Sequence, residues 1–270
     1  MNPSCFAGFC VAFILTSSGS AAEFTARMHT NSVGKTMPYR LLLPEDYRKE
    51  TRYPLVVFFH GAGERGTDNT AQLVHGTKLF LKPDVRAQFP CIVVVPQCPM
   101  NEQWVDMPWA DDSGVQPENP SGAMSLVLGI LDSLQKEFSV DPERLYVTGL
   151  SMGGYATWDL ITRYPERFAA AASICGGGDA TKAAKAAPVP VWAFHSDDDT
   201  TVKVKRSREM VEGMRQAGGK PHYFEYTGLG HNSWDRAYNE RELLPWMFAQ
   251  RRGQADAYVL QTKSPKASTK

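Results

Sequence analysis

The first 22 residues of this 270-residue chain contain no lysine, arginine, aspartate or glutamate. In the whole chain neither sign of charge is in excess, with 29 Lys plus Arg against 29 Asp plus Glu. That balance, without any basic block, removes the usual electrostatic driver of nucleic-acid binding. Also missing is an apolar run of the roughly 18 residues needed to cross a bilayer. The run Phe6–Leu15 has about the length of a signal-peptide core. Small residues follow, and Ser20-Ala21-Ala22 resembles a cleavage site before Glu23. Residues 1–22 are therefore expected to be a signal peptide that sends the chain to the periplasm or outside the cell. No stable membrane insertion is expected after cleavage, and an uncleaved anchor is the alternative.

Cysteine is scarce. Two of the five lie in the leader, leaving Cys91, Cys98 and Cys175. An odd count of three excludes a disulfide framework and permits at most one internal bridge. Cys98 and Cys175 each follow an expected strand, so they either pair or stay buried as thiols. No cysteine or histidine cluster has zinc-ligand spacing, so no metal is expected. Internal repeats are absent. The end of the chain, Gln261–Lys270, lacks large apolar residues, and residues 253–270 are read as a flexible tail.

What remains, residues 23–252, has the length and composition of one domain with a large core: the chain is 43% hydrophobic and 21% charged. Expected strands are Phe24–His29, Tyr39–Leu43, Leu55–His60, Cys91–Pro96, Arg144–Gly149, Ala169–Cys175, Val191–His195 and Tyr223–Thr227. Leu55–Phe59 and Ile92–Val95 are apolar without interruption, as strands buried on both faces are. Helices are expected over Ser121–Phe138, Ser151–Tyr164, Val204–Gly218 and Asp235–Gln250. In the first of these, Met124, Val127, Leu128, Leu131, Leu134 and Phe138 form a stripe at spacings of three and four. The alternation predicts an α/β fold with a mostly parallel sheet covered by helices on both faces. Functional groups then belong beyond the carboxyl ends of the strands. Gln97–Pro120, with Trp104 and Trp109, fits neither pattern and reads as a long functional loop.

Gly149-Leu150-Ser151-Met152-Gly153-Gly154 matches G-x-S-x-G. The pattern needs glycines because the serine sits on a strained strand-to-helix turn. The letters alone arise often by chance, and a serine capping a small-residue turn would give them too. The setting argues otherwise: Leu145–Thr148 precedes as a strand and Tyr155–Ile161 follows as a helix. His60-Gly61-Ala62-Gly63-Glu64-Arg65-Gly66 follows the strand Leu55–Phe59. Its small residues let N–H groups approach a developing oxyanion, with Ala62 and Met152 as the expected donors. His60 reads as structural. Glu64 and Arg65 either pair or face solvent. A base placed last in the chain points to His231, in Gly228-Leu229-Gly230-His231-Asn232-Ser233-Trp234. His29, His75, His195 and His222 are weaker candidates. Asp197, Asp198 and Asp199 all lie where an acid is expected, and periodicity does not choose between them.

These segments resemble the α/β-hydrolase superfamily, in particular its secreted esterase branch. That branch holds polyhydroxybutyrate depolymerase-like, feruloyl and acetyl-xylan esterases and related peptidase-like proteins. The resemblance rests on Tyr53–Gly66, Pro96-Gln97-Cys98-Pro99, Gly149–Gly154 and Gly230-His231, and covers residues 36 to 250. It implies an α/β-hydrolase fold with an eight-stranded, mostly parallel sheet. In such relatives the acid follows a histidine by four residues, which from His195 selects Asp199. Ser196 where glycine is usual, and Lys203 where proline is common, keep Asp198 as the alternative. Only Gly176–Ala187 separates two of the strands where many lipases insert a cap, so no cap domain is expected. The expected activity is ester hydrolysis by Ser151, His231 and Asp199, without a cofactor, on short acyl esters and esters of polymeric carbohydrate. Trp104, Trp109 and Trp234 are the expected substrate contacts, with ordinary half-buried packing as the alternative for each. A serine peptidase and a catalytically dead binding protein are the rival readings. The oligomeric state is not legible.

Overall fold

The computed structural model describes residues 22–256 and 258–261. The expected signal segment lies outside the described residues except for Ala22. Within them, Leu55, Val56, Val57, Phe58 and Phe59 are all wholly buried, although their side chains alternate between two directions. Leu55, Val57 and Phe59 join one apolar core and Val56 and Phe58 another, on the opposite face of the same sheet. Burying each such side chain contributes about 1.5–3 kcal/mol, which is why the run carries no polar residue.

That run belongs to β3 (Tyr53–Phe59). The other strands are β1 (Thr25–Thr30), β2 (Thr36–Leu42), β4 (Ile92–Pro96), β5 (Val140–Leu150), β6 (Ala170–Ile174), β7 (Val191–Ser196) and β8 (His222–Tyr226). They form one sheet in the order β1-β2-β4-β3-β5-β6-β7-β8. β1–β2 and β2–β4 pair antiparallel and every other pair is parallel. Helices α2 (Gly122–Glu137), α3 (Met152–Arg163) and α4 (Lys205–Gln216) contribute to the first core. α6 (Leu243–Ala249) and Phe80 contribute to the second. A short α1 (Pro83–Gln88) starts on a proline.

The expected helices over residues 121–138, 151–164 and 204–218 are present, shortened by a residue or two at their ends. Ser121 caps α2, its Oγ accepting from Met124 N–H at 3.0 Å. The helix expected over Asp235–Gln250 is instead two: α5 (Trp234–Ala237) and α6. Pro245 explains the break. It has no N–H for a continuous helix and its ring would strike the carbonyl one turn back, so the chain restarts with proline in its first turn.

The tail expected from residue 253 is partly docked. Asp256 accepts hydrogen bonds from Trp246 Nε1 and Gln250 Nε2, both at 2.9 Å, and faces His222 Nε2 at 3.1 Å. Tyr258 and Leu260 lean on the second core. Composition hid this because one carboxylate, rather than an apolar stripe, makes the anchor. Burial works to raise the Asp256 pKa, but donors from His222 and Trp246 outweigh it and hold it at about 2.

Candidate active site

Four loops meet at the carboxyl edge of the sheet. Gly149 and Gly153 flank the turn after β5 for a steric reason. A Cβ on Gly149 would collide with the Gly153 carbonyl, and one on Gly153 with the Phe59 carbonyl. Between them Ser151 takes φ 54° and ψ −120°, a conformation that costs a side-chain-bearing residue about 1–3 kcal/mol. The strain lifts its Oγ out of the sheet at the start of α3. Met152, next in the chain, opens that helix, so its N–H has no partner within the helix. Ala62 opens a single helical turn, Ala62–Glu64, in the same way. Gly61 brings this turn against the serine: a Cβ there would lie 3.6 Å from Ser151 Cβ. The two N–H groups and the dipole of α3 favour negative charge beside Ser151.

His231 lies in the loop after β8, partly exposed. Its Nε2 is 2.9 Å from Ser151 Oγ and its Nδ1 is 2.7 Å from Asp199 Oδ2. Asp199 follows β7 with its side chain wholly buried. Its Oδ1 accepts from the N–H groups of Thr201 and Val202 at 2.8 and 3.0 Å. Burial would raise its pKa, but donors from His195, His231 and Val202 prevail and hold the carboxyl well below its ordinary value. Asp198 is exposed and faces elsewhere. Its Oδ1 accepts from Gly230 N–H at 3.0 Å and so ties down the loop that carries His231. Asp197 accepts from Thr227 Oγ1 at 2.9 Å.

His60 is buried beneath the Ala62 turn. Cys98 N–H donates to its Nε2 at 3.0 Å, so the ring proton sits on Nδ1 and points at Gly61 O at 2.6 Å. Burial pushes its pKa down to about 4. Gln97, also buried, holds the same loop: its Nε2 donates to Glu64 O at 3.2 Å and its Oε1 accepts from Asn69 N–H at 2.7 Å. The short motif around Gln97 is the one sequence signal for this brace.

Two expectations change and one open choice closes. Trp104 is wholly buried and cannot touch a substrate. Its ring meets Phe59 and His60 edge to face, and its Nε1 donates to His60 O at 3.1 Å. The loop that carries it folds inward there because Ser121, the cap of α2, donates to Trp104 O at 2.8 Å. Glu64 and Arg65 neither pair nor simply face water. Arg65 Nε donates to Ala62 O at 2.9 Å, and Glu64 lies 3.6 Å from His75. Cys98 and Cys175 do not bond: Cys91, Cys98 and Cys175 are free, buried thiols. Cys98 belongs to one core and Cys175 to the other, with the sheet between them.

Trp109 and Trp234 are half-buried, and Trp234 lies against His231. The Trp234 ring stands edge to face against His231, with centroids 5.4 Å apart, and lies 5.3 Å from His75. Tyr155, one turn after Ser151, donates its hydroxyl to Trp109 O at 3.1 Å. The long loop is pinned elsewhere by residues that periodicity did not single out. Arg206 Nη1 and Nη2 donate to Asp111 O and Gly178 O at 3.3 and 3.1 Å. Arg163 donates to Pro117 O and Glu118 O at 2.6 and 2.7 Å. Between β6 and β7 the chain holds only a short helical turn, Ala180–Ala186. Among the described residues no cluster of His, Cys, Asp and Glu could hold a metal ion, and no helix is long and apolar enough to cross a membrane.

A serine raised at a strand–helix turn of a mostly parallel, eight-stranded sheet, with a histidine and a carboxylate from later loops beside it, defines the α/β-hydrolase class. The chain belongs to the Esterase family, described as "Putative esterase", whose model matches residues 30–215. The class it shares with these relatives is that of serine enzymes hydrolysing carboxylic esters. It is 25% identical over 194 residues to "Probable carboxylesterase SOBER1-like" of Arabidopsis thaliana, covering 66% of this chain and 72% of that protein. It is 22% identical over 201 residues to "Probable feruloyl esterase C" of Aspergillus niger, covering 73% of this chain and 68% of that one. Among solved structures it is similar to one described as "Crystal Structure of a Thermostable Esterase", with a TM-score of 0.78 and 41% identity. That match covers 85% of this chain but 63% of the other, so the present chain spans less than two thirds of that protein's length.

Proposed function

We propose that this chain is an exported esterase that cleaves short acyl esters, including acetyl and feruloyl groups carried on polysaccharide, through Ser151, His231 and Asp199. The observation that carries the mechanism is the unbroken chain of hydrogen-bond distances from Ser151 Oγ through His231 to Asp199, at 2.9 and 2.7 Å. With Asp199 ionised and accepting, His231 carries its proton on Nδ1 and presents a bare Nε2 to the serine. His231 takes the hydroxyl proton as Oγ attacks the ester carbonyl. The N–H groups of Ala62 and Met152 receive the negative oxygen. The alcohol departs with the proton from His231, and water repeats the sequence on the acyl-enzyme, releasing the acid.

The substrate class is supported by the site's form. No large insertion follows β6 to cover it, and half-buried Trp234 stands at its edge beside His231, which suits an acyl group on a bulky polymer. The feruloyl esterase of A. niger supports the same class. Export is supported by the uncharged, apolar leader.

Purified protein should turn over aryl acetates and feruloyl esters faster than long-chain esters or peptide amides. Ser151→Ala should lower kcat by about 10⁴-fold or more. Ester turnover surviving in Ser151→Ala would overturn the mechanism, and faster amide cleavage would replace it with a peptidase. Amino-terminal sequencing of the mature protein should begin at or near Glu23; a start at Met1 would refute processing.

A further inference from the structure

Asp199 serves two histidines. His231 Nδ1 lies 2.7 Å from its Oδ2, and His195 Nε2 lies 3.1 Å from the same oxygen. His195 is the fifth residue of β7 and is wholly buried. Its Nε2 also faces Val202 O at 2.9 Å. Both neighbours of Nε2 are acceptors, so the ring proton belongs on Nε2 and His195 donates. With its proton on Nε2, its bare Nδ1 accepts from Ser207 Oγ at 2.8 Å, and Gly176 O lies 2.9 Å from the same hydroxyl. A line of side chains therefore runs inward from Ser151 through His231 and Asp199 to His195 and Ser207.

We propose that His195 is a positioning residue for this esterase. Its Nε2–H fixes the rotation of the Asp199 carboxylate and shares the charge on Oδ2, and this sets the basicity of His231. The proposal rests on the reading of Ser151, His231 and Asp199 given above. Two backbone N–H groups hold Oδ1, but without His195 the only donor to Oδ2 among the described residues is the histidine that must change its protonation state in each turnover. A second, permanent donor keeps Oδ2 in place while His231 gains and loses its proton.

The sign of the effect follows. With one donor fewer, Asp199 keeps more negative charge on Oδ2, and the imidazolium form of His231 is favoured. The acid limb of the kcat/KM profile must then move to higher pH. Other titratable groups facing this line do not change charge there. Burial raises Tyr155, on α3, and Cys175, after β6, to about 12. Glu225, opposite His195 on β8, is paired with Arg208 of α4, whose hydrogen bonds lower its pKa. The exposed Asp198 is lowered by a hydrogen bond from Ser196.

The test measures pH profiles and melting for His195→Phe, His195→Gln and His195→Asn beside Ser151→Ala and Asp199→Ala. His195→Phe should lower kcat by about 10- to 100-fold with little change in KM. Its acid limb should rise by about half to one pH unit. Glutamine, which can place an N–H near the position of Nε2, should restore most of the rate and the limb. Asparagine, whose amide is too short, should not. If His195→Phe does not fold, the glutamine–asparagine pair carries the test. Folded variants with an unmoved acid limb, or glutamine and asparagine behaving alike, would overturn the proposal. Activity surviving in Ser151→Ala or Asp199→Ala would instead overturn the underlying triad.

Discussion

The turn around Ser151 and the loop from Gln97 to Pro120 flank one site and are held by opposite means. The turn is shaped by what cannot be there: side chains at Gly149 and Gly153 would strike backbone carbonyls. The loop is shaped by what reaches it from elsewhere. His60, Ser121, Arg163 and Arg206 each grip it, from the ends of β3 and α2 and from within α3 and α4. Local sterics fix Ser151 Oγ, and long-range polar contacts fix the loop beside it.

The comparison breaks most sharply at Gly153. A Cβ there meets the Phe59 and His60 carbonyls, so two backbones must part for Gly153→Ala to fold. The expected cost is about 3 kcal/mol or more, measured by denaturant unfolding. A cost under about 1 kcal/mol would mean that the turn is not sterically determined.

The next largest effect is pH dependence at the junction of the two regions. His60 supports the Ala62 turn from below and touches the loop through Trp104 and Cys98. Burial pushes its pKa down to about 4 from 6.5. Above about pH 6.5 it is neutral whether the chain is folded or not. As pH falls from there toward 4, the unfolded chain takes the proton and the folded one does not. Stability therefore declines across that window, by roughly 3 kcal/mol when complete. His60→Asn should unfold more easily at neutral pH and lose that slope. The low carboxylates Asp199 and Asp256 act in the opposite charge sense: their stabilisation is present above the ordinary carboxylate pKa and fades below about pH 4, so they stand apart.

This contrast also explains what could be read in advance. The buried strands and the glycines around Ser151 are local patterns of apolar runs and small residues. The choice of Asp199 over Asp198 needed the resemblance, because three neighbouring aspartates carry the same local signal. Geometry separates them by partner, His231 for Asp199 and Gly230 N–H for Asp198. Trp104 was misread because its exposure depends on Ser121 and His60, far away in sequence. Arg206 left no signal at all: a basic residue on an amphipathic helix reads as solvent-facing, yet it is buried.

Arg206→Leu tests the far end of the loop. It leaves the carbonyls of Asp111 and Gly178 without their donor and removes the cation above the Tyr155 ring, 5.4 Å from its centroid. A loss of about 2 kcal/mol is expected. Because the loop is a wall and not the reacting centre, KM for bulky esters should rise more than kcat falls. An equal fall in kcat for small aryl acetates would place Arg206 in the catalytic geometry instead.

Trp104→Phe makes the smallest change and sharpens the comparison most finely. Phenylalanine keeps an aromatic ring near Phe59 and His60 and removes the Nε1 donor to His60 O. The lost hydrogen bond should cost about 1 kcal/mol, with some further loss from the smaller ring. If the loop only leans on the Ala62 turn, kcat should hold and the pH window of His60 should not move. If Trp104 instead steadies the peptide between His60 and Gly61, the Ala62 N–H shifts from its place beside Ser151. In that case kcat falls while KM for small esters stays level. The burial of Trp104 against His60, and the bond from its Nε1 to His60 O, favour the second outcome.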